Sequence, residues 1–357
     1  MKNNFQILVI NPGSTSTKLS LYKGEGVLFQ ETIQHSTQSL SLFTNIFDQY
    51  EFRLNIILDF LEKKNIYLNN IHAVVGRGGL LRPLQSGTYR VNQKMINQLK
   101  QGIYGEHASN LGAVLAYQIT QKVSIPAYIV DPVVVDEMEE IAHISGIPQL
   151  PRKSIFHALN QKAVAHKAAQ DLGQQYDDTN FIVVHMGGGI SVGVHHKGRV
   201  IDVNNALNGE GPFSPERSGT VPAAELVRLC FSGKYSENDI MAMVNGKGGM
   251  VAYLNTNDVK RVMQSINKGD KRSKLILEAM AYQIAKEIGA GATVLKGNVD
   301  AIIVTGGISH SNKFVEMIKD RVSFISLVMV YPGEEEMLSL CQGALRVLSG
   351  EEEEKVY

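Results

Sequence analysis

The sequence predicts an α/β fold built from two duplicated halves. Two observations carry this: short β-branched strands alternate with segments of helical periodicity along the chain, and one strand–turn–strand pattern occurs twice. The first copy reads Ile7-Leu8-Val9-Ile10, then Asn11-Pro12-Gly13-Ser14-Thr15-Ser16-Thr17, then Lys18-Leu19-Ser20-Leu21-Tyr22, and turns again at Lys23-Gly24. The second reads Ile182-Val183-Val184, then His185-Met186-Gly187-Gly188-Gly189-Ile190-Ser191, then Val192-Gly193-Val194-His195-His196, and turns at Lys197-Gly198. Twelve positions separate Asn11 from Lys23, and twelve separate His185 from Lys197. A repeated unit of this kind, opening each half, points to duplication.

Between the copies, strands are predicted at 73–75 and 127–130. Helices are predicted at 55–64, 109–123 and 155–172, with Ser109 and Ser154 as candidate caps of the last two. The polar stretch 173–179 is the expected boundary, giving domains 1–178 and 179–357 with the last helix packing back on the first. The second half then reads as helices 223–231, 236–244 and 275–295, a buried strand 301–304, a helix 312–322, a strand 326–330 and a final helix 337–348.

Lys plus Arg and Asp plus Glu both number 35, so the formal net charge is zero. That balance argues against nucleic acid or an anionic membrane as the main partner and favours a small molecule. The two cysteines, Cys230 and Cys341, lie outside any CxxC spacing, which fits a reducing cytoplasm. No run of eighteen apolar residues occurs, and the run 7–10 is too short for a signal peptide's apolar core. The acidic run 351–354 reads as a solvated terminus.

Three segments suit phosphate. The turn from Asn11 to Lys18 offers Ser14, Thr15 and Ser16 with their backbone N–H groups, and converging N–H dipoles attract anions. It is not a Walker loop, because GxxxxGK[ST] is missing and the chain continues into a strand. Gly187, Gly188 and Gly189 allow close backbone approach. Thr305, Gly306 and Gly307 follow a buried strand and precede a helix.

Taken in order, these elements resemble the two phosphate motifs and the adenosine motif of the superfamily containing acetate kinase, sugar kinases, heat-shock ATPases and actin. Within it the chain resembles the acetokinase family, and its butyrate-directed branch most closely. The resemblance rests on Asn11-Pro12-Gly13-Ser14-Thr15-Ser16-Thr17-Lys18, Gly76-Arg77-Gly78-Gly79, the stretch from Glu106 to Gly112, His185 to Gly189, Glu210 to Gly219, Thr305 to Ile308 and Pro332-Gly333-Glu334-Glu335. It implies a duplicated actin-like ATPase fold with ribonuclease H-like halves and an interdomain cleft, ATP/ADP and Mg²⁺ as cofactors, and a homodimer or higher homo-oligomer.

The resemblance also implies roles. Arg217 stabilises the transferring phosphoryl group, His185 donates to its oxygens, and Asn11 contacts phosphate. Asp131 and Glu334 serve the metal, with Glu335 and Glu336 close enough to compete for that role. Ser14, Thr15, Ser16, Lys18, Gly187, Gly188, Gly189, Thr305, Gly306 and Gly307 face the nucleotide, and His107 and Gly76 the acyl group. Acetate kinases carry a substrate-binding arginine where this chain has Val74, so Arg77, where their histidine stands, is expected to supply that charge. Gly76 replaces a bulkier residue, and the smaller wall is expected to leave space for butyrate or a branched acid rather than acetate.

The chemistry agrees with these residue types. A carboxylic acid of pKa about 4 to 5 is already ionised at neutral pH, so its kinase needs no general base. What it needs is cationic donors that hold two anions together during a nearly in-line transfer, with domain closure excluding water. The alternatives are an acetate or propionate kinase and, from a different class, a non-kinase ATPase switch of the actin or heat-shock type.

Overall fold

The computed structural model describes residues 4–357, which divide into two compact units. One comprises residues 4–135 with Glu335–Tyr357, the other Asp136–Glu334. In chain order the first contributes strands β1 (Gln6–Pro12), β2 (Ser16–Lys23), β3 (Gly26–Gln34), β4 (Ala73–Arg77), β5 (Thr88–Arg90) and β6 (Ala127–Val130). The second contributes β7 (Asn180–Met186), β8 (Ile190–His196), β9 (Arg199–Val203), β10 (Ala301–Gly306) and β11 (Val328–Pro332), and β12 (Lys355–Val356) returns to the first.

The duplication is explicit in the sheets. The first unit has the order β12-β5-β6-β4-β1-β2-β3 and the second β11-β10-β7-β8-β9. In both, three antiparallel strands (β1–β3, β7–β9) are followed by two strands parallel to the first of them (β4 and β6, β10 and β11). Central strands covered on both faces must be apolar throughout, and Ile7 to Ile10 and Phe181 to Val184 are all fully buried.

The expected equivalence of Lys23-Gly24 with Lys197-Gly198 is off by one residue. Pro12 pairs with Thr17 across a four-residue turn, whereas Met186 pairs with Ile190 across three glycines. At the next turn Lys23 pairs with Gly26 and His196 with Arg199, which makes Gly24 the counterpart of Lys197. Both take the left-handed conformation, at φ 57° and 46°. Glycine does so freely and lysine at a cost.

The division between units also falls earlier than residue 178. The helix Ala158–Asp171 belongs to the second unit because Val164, Ala165, Ala168 and Ala169 pack with Phe181, Val183, Ala301 and Ile303. The final helix, Glu336–Leu348, packs on β1, β4 and β6 of the first unit. Its Gly343 lies so close to Val130 that any side chain there would collide.

Most expected helices are present: Tyr50–Lys63, Asn110–Thr120, Ala223–Cys230, Glu237–Val244, Lys271–Val294 and Asn312–Val322. The helices Gln93–Gln101, Gly249–Leu254 and Val259–Asn267 were not anticipated. Neither serine caps as expected. Ser109 precedes its helix but makes no cap hydrogen bond, and His157 rather than Ser154 begins the other. No helix among the described residues is long and apolar enough to cross a membrane.

Candidate active site

In open α/β sheets, ligands bind beyond the carboxyl ends of the parallel strands. The first unit brings Asn11, Arg77 and Asp131 to that edge, at or just after the ends of β1, β4 and β6. The second brings His185, Thr305 and Glu334 to the corresponding edge, at or after the ends of β7, β10 and β11.

In the first unit, Asn11 and Arg77 converge on one carboxylate. Asn11 Nδ2 donates to Glu336 Oε2 at 2.8 Å, and Arg77 Nη1 pairs with Glu336 Oε1. Glu336 is the first residue of the final helix, where a negative charge is favoured by the helix dipole. It is therefore Glu336, not Glu334 or Glu335, that meets Asn11 and Arg77. Lys18 lies directly across from Asn11 in the β1–β2 pairing and is exposed.

The β1–β2 turn has its carbonyls turned inward. Gly13, Ser14 and Ser16 each give their carbonyl oxygen to the Arg53 guanidinium, at 2.9, 3.0 and 3.0 Å. The Thr15 carbonyl accepts from His35 N–H at 2.8 Å. Ser14 and Thr15 are exposed, and their N–H groups have no partner among the described residues. His107 sits near Arg77; partial burial and that charge lower its pKa, and its Nδ1 accepts from Ser109 N–H at 3.2 Å.

In the second unit, His185 is buried and oriented from both sides. Its Nδ1 lies 2.7 Å from Asn160 Oδ1 and its Nε2 3.0 Å from Glu334 Oε1. The His157 ring stacks on it at 3.8 Å, nearly parallel, while His157 Nδ1 meets Ser191 Oγ at 2.9 Å. Arg217 extends from the loop that starts at Glu210. Its Nη1 donates to the Ala206 carbonyl at 2.5 Å and its Nε to Asn245 Oδ1 at 3.3 Å, and burial lowers its pKa. The guanidinium lies against Gly189 so closely that a Cβ there would overlap it. Glu216 stands beside Gly188, and Glu334 and His185 beside Gly187. The glycine turn is thus open to one arginine, one histidine and two carboxylates within its own unit.

Several expected residues sit differently. The space a Gly76 side chain would occupy is filled by the backbone of Gly112 and Ala113, so the glycine permits strand–helix packing and does not enlarge an acyl pocket. Thr305 is fully buried and its hydroxyl donates to the Gly333 carbonyl at 3.2 Å, which spends the group internally. Gly306, at φ 90°, packs against the Met186 backbone. Of that motif only Gly307 faces open space. Asp131 is held in a left-handed backbone at φ 38° and accepts from Gly87 N–H at 2.7 Å. Arg53, His157, Asn160 and Glu216 were missed by the sequence reading, and Glu336 was named there only as a rival of Glu334 for the metal. Of these, His157 and Asn160 carried a signal, a histidine and an asparagine three residues apart near the start of the predicted helix 155–172.

With this geometry in place, comparison with known proteins decides the family. The description "Acetokinase family" matches residues 140–349. Butyrate kinase 1 of Clostridium acetobutylicum is 58% identical over 353 residues, covering 99% of both chains, and butyrate kinase 2 of the same organism is 56% identical with the same coverage.

The chain belongs to the acetokinase family.

The acetokinase-family fold is seen directly in the solved acetate kinase of Porphyromonas gingivalis, with a TM-score of 0.80 at 20% identity, covering 96% of this chain and 100% of that one. A propionate kinase from Francisella tularensis gives 0.74 at 20% identity, covering 95% and 98%. At those identities the likeness speaks for the fold, which agrees with the paired sheets described above.

Proposed function

We propose that this protein is an ATP-dependent kinase that phosphorylates a short-chain carboxylate, butyrate or a branched acid, to its acyl phosphate. The observation that carries the acid-binding part is that Asn11 and Arg77 already hold a carboxylate, that of Glu336. Two side chains that meet one carboxylate are suited to neighbouring anions, Arg77 to the acid and Asn11 to the phosphate beside it. Relatives more than half identical over nearly their whole length are butyrate kinases, which supports butyrate over acetate now that Gly76 no longer argues for pocket size.

An ionised acid attacks phosphorus without losing a proton, so the work falls to positioning and charge stabilisation. Asn11 and the outward N–H groups of Ser14 and Thr15 hold phosphate oxygens, Arg77 the acid, and His185 and Arg217 the transferring phosphoryl group. Mg²⁺ bound with ATP neutralises charge on the nucleotide's phosphates. One or two protein carboxylates would hold such an ion together with water and the substrate phosphates. The described residues contain no group of three His, Cys, Asp or Glu fit to hold a metal, and each unit offers one candidate, Asp131 and Glu334. A cytoplasmic homodimer or higher homo-oligomer fits the family resemblance.

The test is acyl-phosphate formation from ATP, trapped with hydroxylamine, against acetate, propionate, butyrate, isobutyrate and valerate. Hydroxamate yield highest with four- or five-carbon acids supports the proposal. Highest yield with acetate or propionate would overturn the substrate assignment, and ATP hydrolysis indifferent to every acid would overturn the kinase.

A further inference from the structure

We infer that Arg53 is a positioning residue for nucleotide phosphate, holding the β1–β2 turn with its carbonyls inward so that its N–H groups face the ligand. This rests on the reading of that turn as a phosphate site.

Arg53 lies on the helix Tyr50–Lys63, some forty residues after the turn, and is fully buried. One guanidinium reaches every part of the turn. Nη1 donates to the carbonyls of Gly13 and Ser16 and to Thr17 Oγ1 at 3.2 Å, and Nη2 donates to the Ser14 carbonyl. Gln49 aims it from behind, its Oε1 accepting from Nε at 3.2 Å and Nη2 at 2.9 Å. The Ser16 carbonyl also accepts from Gly13 N–H at 2.8 Å, and His35 N–H takes the remaining carbonyl, that of Thr15. Every carbonyl from Gly13 to Ser16 is therefore held by the protein, while the N–H groups of Ser14 and Thr15 are left for a ligand.

The charge is as informative as the geometry. Burying a cation costs several kcal/mol unless it is neutralised, yet no carboxylate among the described residues pairs with Arg53, whose partners are all neutral oxygens. Burial draws its pKa down to about 10, so it stays charged at neutral pH. The same charge, after burial, helps push His35, which meets Thr17 Oγ1 at 2.8 Å, down to about 4. A positive charge thus sits behind a turn whose outward backbone offers N–H donors and no carbonyl. A scaffold needing only to tie a turn would not retain an unneutralised cation, whereas a phosphate site gains from one.

The test compares affinity for a non-hydrolysable ATP analogue with affinity for adenosine in Arg53→Met, Gln49→Ala and Thr15→Pro, with circular dichroism confirming the fold. The positioning role predicts that Arg53→Met weakens the analogue about tenfold or more while adenosine binding and the KM for the acid stay near wild type. Gln49→Ala, which keeps the cation but frees its aim, shows a smaller loss of the same kind and keeps the inference testable if Arg53→Met does not fold. Equal losses for analogue and adenosine, or no loss in either Arg53→Met or Gln49→Ala, would overturn it. Thr15→Pro deletes a turn N–H outright. Loss there without loss in the other two variants removes Arg53's role and leaves the phosphate turn standing. Unchanged analogue binding in all three removes the phosphate turn itself.

Discussion

The turn between β1 and β2 and the turn between β7 and β8 occupy the same place in the same five-strand arrangement, yet they are built by different means. The first uses four residues rich in hydroxyls, with an arginine buried behind them taking up the carbonyls. The second uses three glycines, with an arginine lying on the turn itself against Gly189. In the first, side chain and backbone are fixed from inside and the donors face out. In the second, the missing side chains make space for Arg217 and for the neighbouring His185, Glu216 and Glu334. Duplication supplied the frame, and the two turns diverged into a backbone cradle and a side-chain cluster.

That contrast can be broken most sharply at Arg217. Arg217→Ala is expected to lower kcat by about 10³-fold, the scale on which preorganised charge acts on a transition state, while ATP affinity is little changed. Steady-state kinetics with equilibrium nucleotide binding checks both halves of that statement. The next effect is at Gly189. A Cβ there overlaps the Arg217 guanidinium, which is the far end of a flexible side chain, so Gly189→Ala is expected to misplace the arginine and cost about a hundredfold in kcat with little change in Tm. A large drop in Tm with normal kcat would show that the glycine serves folding and not the arginine.

The smallest effect separates the first turn from the second by pH. His35 stays neutral in the folded protein down to about 4, whereas in an unfolded chain it takes a proton below about 6.5. The unfolded state therefore binds more protons between those values, and stability is lost as the pH falls through that window. The loss attributable to His35 is about 2–3 kcal/mol by pH 4. His35→Gln is expected to flatten the decline of Tm between pH 6.5 and 4. It leaves a residual slope from His195, whose pKa complete burial also lowers. Thermal melts across that range in both proteins provide the check, and identical slopes would contradict it.

Much of the frame was legible in the sequence because it depends on local pattern. β-Branched runs marked the central strands, and the Asn11 and His185 hairpins marked the two halves. What stayed hidden depends on long-range contact. Arg53 falls just outside the helix predicted at 55–64, and only the fold places it on the helix Tyr50–Lys63 and shows the turn it clasps forty residues earlier. Glu334 and Glu336 are indistinguishable in an acidic run, yet the first meets His185 and the second Arg77 and Asn11. Gly76 looked like a vacancy in a wall because a missing side chain says nothing about what fills its place, which here is the backbone at Gly112. The one-residue slip between the hairpins arose because a longer first turn reproduces the same overall spacing.

The most direct test is millisecond hydrogen exchange of the two turns with and without a non-hydrolysable ATP analogue and Mg²⁺. Amides of Ser14 and Thr15 and of Gly188 and Gly189 are expected to slow together when nucleotide binds, since phosphate oxygens become their hydrogen-bond partners, whereas Gly187 N–H already donates to the Gly189 carbonyl at 2.9 Å. Full binding of the analogue with exchange at both turns unchanged would contradict the assignment of these turns to phosphate.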